Sequence, residues 1–337
     1  MGCYHLQLPQ TYATFEEASA AAAQYSDGFP AWIGGRYYVR VGAYLDSTSA
    51  QAAQASLGLT GATVAGTSGA GISVVKTGTN TVLFQFDSTS GLYLAVKPGR
   101  DDTVKAETYF RGYSYFGAFE YRRNGGDITV VNVLSMDDYL QGVIVQEMSP
   151  SWPLEALKAQ TVCARSYAYG KLQAGKHQSQ GFDLCNTTDC QAYVGIANAS
   201  DNSRRAVEET SGVYLWYNGR VADQTVYSSH NGGASESAVN VWGRDYPYLI
   251  GKIDPYEASV VDRISNYNWT VTYTAQELTE LLQSKGYGNS AIVDFRVTKT
   301  SPTGNAIEIT FTDANGRSWS KTREACRTFL GLRSQHY

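Results

Sequence analysis

The sequence predicts an α+β protein: a β-rich scaffold holding a few central helices, preceded by a small α/β module. Three observations carry this. Short alternating stretches rich in tyrosine recur along the chain, broken by glycine and Asn-Gly turns. Helical spacing of apolar residues concentrates between about residues 135 and 168. The first part, residues 12–80, combines its own alanine-rich helices with a strand. With 337 residues, 43% of them apolar and 17% charged, the chain can bury a sizeable core over two domains and is too apolar to be disordered. Its 25 tyrosines offer flat faces of the kind that stack on sugar rings. A net charge of -4 argues against nucleic acid or an anionic membrane as principal partner. No run approaches the roughly 18 apolar residues that span a bilayer.

Taken in order, Thr14 is expected to cap a helix opening at Phe15, with Glu17 completing a capping box. Gly34-Gly35 turns into an alternating strand, Tyr37–Tyr44, and a second helix is expected over 48–57, followed by a Gly/Thr/Ser-rich stretch. The strand reads Tyr-x-Val-x-Val-Gly-x-Tyr and resembles the opening strand of the SPOR domain, a small peptidoglycan-binding module. A generic α/β packing module is the alternative. The second domain is placed at 81–337. It opens with strands Thr81–Phe86, Tyr93–Val96 and Ile128–Val133, punctuated by Pro98-Gly99 and Asn124-Gly125-Gly126.

The chemistry gathers in the central helices. Ser135 can cap a helix whose first turn carries Asp137 and Asp138 and whose apolar stripe is Leu140, Val143 and Ile144. Glu147 continues that stripe at the C-terminal end, before Pro150 and Pro153 stop the helix. Burial and the negative dipole end would both favour its protonated form, as a general acid near neutral pH requires. A buried glutamate paired with a base is the plainer reading. A second helix follows with Pro153 in its first position. On it Lys158 and Arg165, seven residues apart, share a face and could meet Glu147, a sugar oxygen or only water.

The motifs Asp138-Tyr139-Leu140, Glu147-Met148, Trp152–Gln160 and Ala164–Ala168 closely resemble the SpoIID/LytB family. The likeness continues through Asp183–Tyr193, Tyr227–Gly233, Asn240–Gly243 and Arg327–Ser334, covering roughly residues 81–337. It implies a lytic transglycosylase that cleaves the bond between N-acetylmuramic acid and N-acetylglucosamine in peptidoglycan, preferably on strands stripped of stem peptides. Glu147 is the catalytic acid/base it implies. One carboxyl can serve both steps, so the second carboxylate of an ordinary glycosidase is not needed. Binding roles are expected for Lys158, Arg165, Tyr167, Gln191, Tyr193, Ser229, His230 and Trp242.

His177, Cys185 and Cys190 suit a Zn²⁺ site by residue type and spacing, with one position left for water, a side chain or substrate. The resemblance supports this, since clostridial members of that family hold zinc in the loop. A Cys185–Cys190 disulfide is the alternative. The zinc is expected to organise the loop and not to catalyse. Asn218-Gly219 predicts a hairpin between Val213–Tyr217 and Arg220–Tyr227, leading to the polar loop Ser228–Gly233. Beyond it a helix Ala275–Ser284, strands Ile292–Thr298 and Ala306–Thr312, and a helix Thr322–Leu330 are expected.

Two rival functions stay open: a zinc-dependent cell-wall hydrolase with Glu147 as base, and a non-catalytic wall-binding or amidase-enhancing protein. The expected partners are peptidoglycan glycan strands and a cell-wall amidase acting beforehand. Met1–Leu6 carries neither a basic nor an apolar leader region. The substrate nevertheless implies a place outside the cytoplasm, in the wall or membrane-anchored, with the export signal or anchor lying outside this sequence.

Overall fold

The structure is a computed structural model that describes residues 2–88, 91–99, 105–124 and 126–337. The chain is α+β. Its contacts divide it into two units, one comprising residues up to Thr161 with His177–Ser211, the other Val162–Lys176 with Gly212–Tyr337. Gly125, in the predicted 124–126 turn, lies outside the described residues. Among the described residues no helix is long and apolar enough to cross a membrane.

The first unit opens with β1 (Tyr4–Tyr12), α1 (Phe15–Ala22), β2 (Gly28–Ile33), β3 (Arg36–Tyr44), α2 (Ser47–Ser56), β4 (Thr63–Gly66), β5 (Ile72–Val75) and β6 (Val82–Asp87). The six strands form one sheet in the order β4-β1-β3-β2-β6-β5. The expected capping box is present: Thr14 Oγ1 accepts from the Glu17 N–H at 3.2 Å, and Glu17 accepts from the Thr14 N–H at 3.4 Å. Both helices are alanine-rich because they lie close on the sheet, where Ala18, Ala22 and Ala50 are buried among Leu6, Val39 and Val41. The sheet takes in Tyr4–Tyr12, which meets the 12–80 segment only at Tyr12, and Val82–Asp87, which lies beyond it. Pro9 hides β1 from a sequence reading, since proline cannot feed a ladder; here it sits within a register shift between Gln7 and Thr11.

Next come β7 (Leu94–Val96), β8 (Thr108–Phe110), β9 (Tyr113–Tyr115), β10 (Ala118–Asn124) and β11 (Asp127–Val133). They form a three-stranded sheet, β11-β10-β7, and a hairpin, β8-β9. They lead into α3 (Met136–Glu147), α4 (Leu154–Ala174) and α5 (Asp201–Glu209). Helix α4 starts one residue later than expected. Pro153 stands before its first turn, its carbonyl accepting from Ala156 and Leu157 at 3.0 and 3.1 Å.

The second unit holds the predicted hairpin in shorter form, β12 (Trp216–Tyr217) and β13 (Arg220–Val221). Asn218 (φ 49°) and Gly219 (φ 78°) supply its left-handed turn. There follow α6 (Ala238–Trp242), α7 (Ala275–Ser284), β14 (Ile292–Thr300), β15 (Ala306–Asp313), β16 (Ser318–Thr322) and α8 (Ala325–Thr328). Helix α7 and the sheet β14-β15-β16 bury Leu282, Ile309, Phe311 and Cys326 in one core. The expected helix Thr322–Leu330 is corrected. Thr322 ends a strand, and Arg323, at φ 58°, breaks the path before a short α8.

Candidate functional site

Helix α3 is built to hold its last residue still. Ser135 accepts from the Asp138 N–H at 3.2 Å, a cap worth about 1 kcal/mol. Every residue from Asp138 to Ile144 is buried. Asp138 is paired with Lys105, whose ammonium also lies over the Phe116 ring. Gly142 is required by close packing: a Cβ there would stand 2.5 Å from the Tyr193 ring and 2.6 Å from the Gly195 carbonyl. Glu147 closes the helix half-buried, one turn past the fully buried Val143 and Ile144, and Met148 leaves in an extended conformation.

Several predicted sugar contacts are engaged within the protein. Arg165 is only 1% exposed, and its guanidinium donates to the Val213 carbonyl at 3.3 Å. Gln191 and Tyr193 are buried as well. Gln191 Oε1 accepts from the Tyr139 hydroxyl at 3.1 Å, and the Tyr193 hydroxyl donates to Asn132 Oδ1 at 2.9 Å. Burial pushes both phenols well above the usual tyrosine range. Lys158 is engaged by Glu155 at 2.9 Å and Glu209 at 2.5 Å, not by Glu147. Tyr167 is half-buried with the Lys171 ammonium over its ring. Burial of these groups follows from helix packing in three dimensions, which a local pattern does not encode.

The predicted metal ligands do converge, and a fourth joins them. One ligand atom each from His177, Cys185, Asp189 and Cys190 lies within 4.8 Å of all the others. His177 Nε2 stands 3.5 Å from Asp189 Oδ2, and Cys185 Sγ stands 3.8 Å from the same oxygen. Metal–ligand bonds of about 2.0–2.3 Å put the edges of a zinc tetrahedron at about 3.3–3.8 Å, so these spacings fit. His177 is oriented through its other nitrogen, Nδ1, 2.8 Å from Gln180 Oε1, and by stacking on Phe182. Its Nε2 is buried without a hydrogen-bond partner, as a ligand nitrogen facing a cation would be. Both cysteines are free thiols. Burial pushes the Cys185 thiol up, but hydrogen bonds involving Thr187 and Cys190 outweigh it and take it down to about 7. Asp189 was missed because an aspartate in a polar loop carries no signal of its own; its place beside Cys190 at the tight turn was the available hint.

The second unit contains a cavity of about 1100 Å³ lined by Ser229, His230, Trp242, Tyr267 and Trp269 among others. Ser229 and His230 are exposed, Trp242 is 48% exposed, and the His230 and Tyr267 rings lie 6.1 Å apart. Polar atoms between half-open aromatic faces are what a carbohydrate needs, as it offers hydroxyl edges and apolar ring faces.

The fold and these residues define an α+β protein with a helix-end carboxylate and a loop of converging His, Cys and Asp side chains in one unit, and an aromatic cavity in the other. Residues 124–217 match the SpoIID family, stage II sporulation protein. The chain thus carries a SpoIID-family domain, and both Glu147 and the four convergent ligands fall inside it. An uncharacterised protein of Brachyspira hyodysenteriae is 39% identical over 140 residues, 42% of this chain and 38% of that protein. The amidase enhancer of Bacillus subtilis is 42% identical over 139 residues, 41% of this chain and 17% of the relative. Stage II sporulation protein D of the same organism is 27% identical over 175 residues, 48% of this chain and 50% of the relative. The chain therefore spans between 17% and 50% of the length of these relatives.

Proposed function

We propose that the chain is a cell-wall enzyme, a peptidoglycan lytic transglycosylase with Glu147 as its acid/base. The observation that carries this reading is a single half-buried carboxylate ending a buried, capped helix inside the family-matched segment. In the reaction Glu147 gives its proton to the oxygen leaving C1 of N-acetylmuramic acid. As carboxylate it then takes the proton of the C6 hydroxyl while that oxygen attacks C1. One bond to C1 breaks and one forms, the proton count closes on Glu147, and no water is consumed. The half-buried setting limits water around the proton. His230 and Ser229 would hold glycan hydroxyls, and Trp242 would stack on a ring.

His177, Cys185, Asp189 and Cys190 would hold Zn²⁺, which supplies cross-links to a loop with no regular secondary structure apart from one short 3₁₀ turn. Four protein ligands close a tetrahedron, whereas a hydrolytic zinc keeps a position open for water. The donor set therefore favours an organising metal over the zinc-hydrolase reading. The relative named amidase enhancer keeps a second reading in play, a protein that acts with a wall amidase. Under either reading the protein works outside the cytoplasm, and the N-terminal sheet would serve as a SPOR-like glycan-binding module.

Digestion of purified glycan strands, with and without stem peptides, followed by mass spectrometry, tests the proposal. Anhydro-muramyl products from the wild type and none from Glu147→Gln are expected. Reducing-end products would replace the transglycosylase with a hydrolase. No product, together with faster cleavage by an added amidase, would replace it with the enhancer.

A further inference from the structure

The loop Asn231-Gly232-Gly233 has the composition of an anion-binding nest, in which successive backbone N–H groups point to one spot. Gly232 and Gly233 take φ values of +72° and +95°, which is why glycines stand there. The spot is filled from within the protein. Glu257, only 6% exposed, accepts from Asn231 N at 3.0 and 3.2 Å, Gly232 N at 3.1 Å and Gly233 N at 3.3 Å. The Asn231 amide adds a bond to Asp254 at 3.0 Å, and Asp254 N bonds the Gly233 carbonyl at 2.9 Å. Ser235 N bonds the Lys252 carbonyl at 2.8 Å, so 231–235 and 252–257 are zipped along their length.

Two consequences follow. The N–H groups of Asn231 and Gly232 are spent on Glu257, and that of Gly233 is shared between Glu257 and Asn231 Oδ1 at 2.9 Å, so they are not open to a substrate oxyanion or phosphate. Beside Asn231 and Gly232, the loop brings to the cavity the side chains just before the nest, Ser229 and His230. We infer that Glu257 is a positioning residue: its carboxylate locks the nest and so fixes Ser229 and His230 at the cavity for glycan contact. The inference rests on the proposed role of His230 in holding glycan, and goes beyond it by naming the group that sets its place. Charge matters here, because a carboxylate accepting several N–H bonds is held more strongly than a neutral acceptor. An amide at the same position would turn an NH₂ group toward N–H donors.

The test uses the full chain. By NMR, the amides of Asn231, Gly232 and Gly233 should exchange slowly with solvent in the wild type, although they lie in a loop. Exchange at the rate of an unstructured loop would overturn the inference, and this measurement needs no variant. In Glu257→Gln the protection should fall and the His230 ring resonances should move toward those of free imidazole. KM for glycan strands should rise about tenfold with kcat within about twofold, the pattern of lost binding contacts. His230→Ala combined with Glu257→Gln should be no worse than His230→Ala alone. Additive losses would mean that Glu257 only supports the fold, and would also overturn the inference. The two readings separate cleanly. If the wild type neither binds nor cuts glycan, the glycan role of His230 fails while the amide and ring signals still judge the lock. If glycan is cut and the variants do not couple, the lock alone fails.

Discussion

The 177–190 loop of the first unit and the 229–233 loop of the second solve the same problem with opposite charges. Both are polar segments with little regular structure, and both place side chains for chemistry. In the second, backbone N–H groups converge and the chain supplies the anion, Glu257. In the first, a histidine nitrogen, two sulfurs and a carboxylate converge, and one of them, His177 Nε2, is buried without a hydrogen-bond partner. Converging donors can be satisfied by any nearby carboxylate. Converging soft acceptors need a cation with a matching shell, and zinc is the ordinary one. The difference teaches that one loop is complete as a folded chain, while the other gathers ligand atoms that the proposed zinc would complete.

The largest expected effect falls on Glu147. Replacement by glutamine should lower anhydro-product formation by about 10²–10⁴-fold, the scale of general acid–base catalysis, with an unchanged melting temperature. A fall in Tm of several degrees would instead show Glu147 to be a structural residue. Metal removal comes next and breaks the comparison if it fails. The purified protein should hold about one zinc per chain, and chelation or Cys190→Ser should lower Tm by about 5 °C or more. Asp189→Asn should weaken zinc retention, whereas Glu257→Gln should leave zinc content unaltered. A protein that stays metal-free and equally stable would return the 177–190 loop to the self-sufficient kind.

A smaller effect is expected where α3 meets the metal loop. Tyr139→Phe removes the hydroxyl that donates to Gln191 and leaves a buried acceptor, at a cost of about 1–3 kcal/mol in urea unfolding. The smallest involves pH in the second unit. Burial pushes the Glu236 carboxyl up, but hydrogen bonds from Ser301, Thr303, Asn240 and Ser237 outweigh it and hold it below the usual glutamate range. A depressed carboxylate stabilises the fold above its unfolded value, and the contribution is lost as pH falls through the folded value. Glu236→Gln should therefore flatten the acid limb of a Tm-against-pH curve and alter little near neutrality. An unchanged acid limb would show that the carboxylate contributes nothing to acid stability.

How far the sequence could be read depended on whether a feature is local. The Thr14 capping box, the Asn218-Gly219 turn and α7 at Ala275–Ser284 were legible because each is decided by a few adjacent residues. The convergence of His177, Cys185 and Cys190 was legible by residue type. Strand β1 was not, because Pro9 contradicts a strand locally and is tolerated only at the register shift. Nor was the burial of Arg165: seven residues from Lys158, it could meet Glu147, a sugar oxygen or only water, and packing leaves it 1% exposed.

The sequence by itself determined where the helices cap, where the chain turns, which carboxylate ends α3 and which soft ligands share a loop. These follow from side-chain chemistry acting over a few residues. Only the tertiary structure decided that Asp189 lies among His177, Cys185 and Cys190, that Gln191 and Tyr193 pack against α3 at Tyr139 and Gly142, and that Glu257 fills the nest 24 residues away from Gly233. Such pairings depend on which surfaces meet once burial and hydrogen bonding are satisfied together, and distance along the chain says nothing about that.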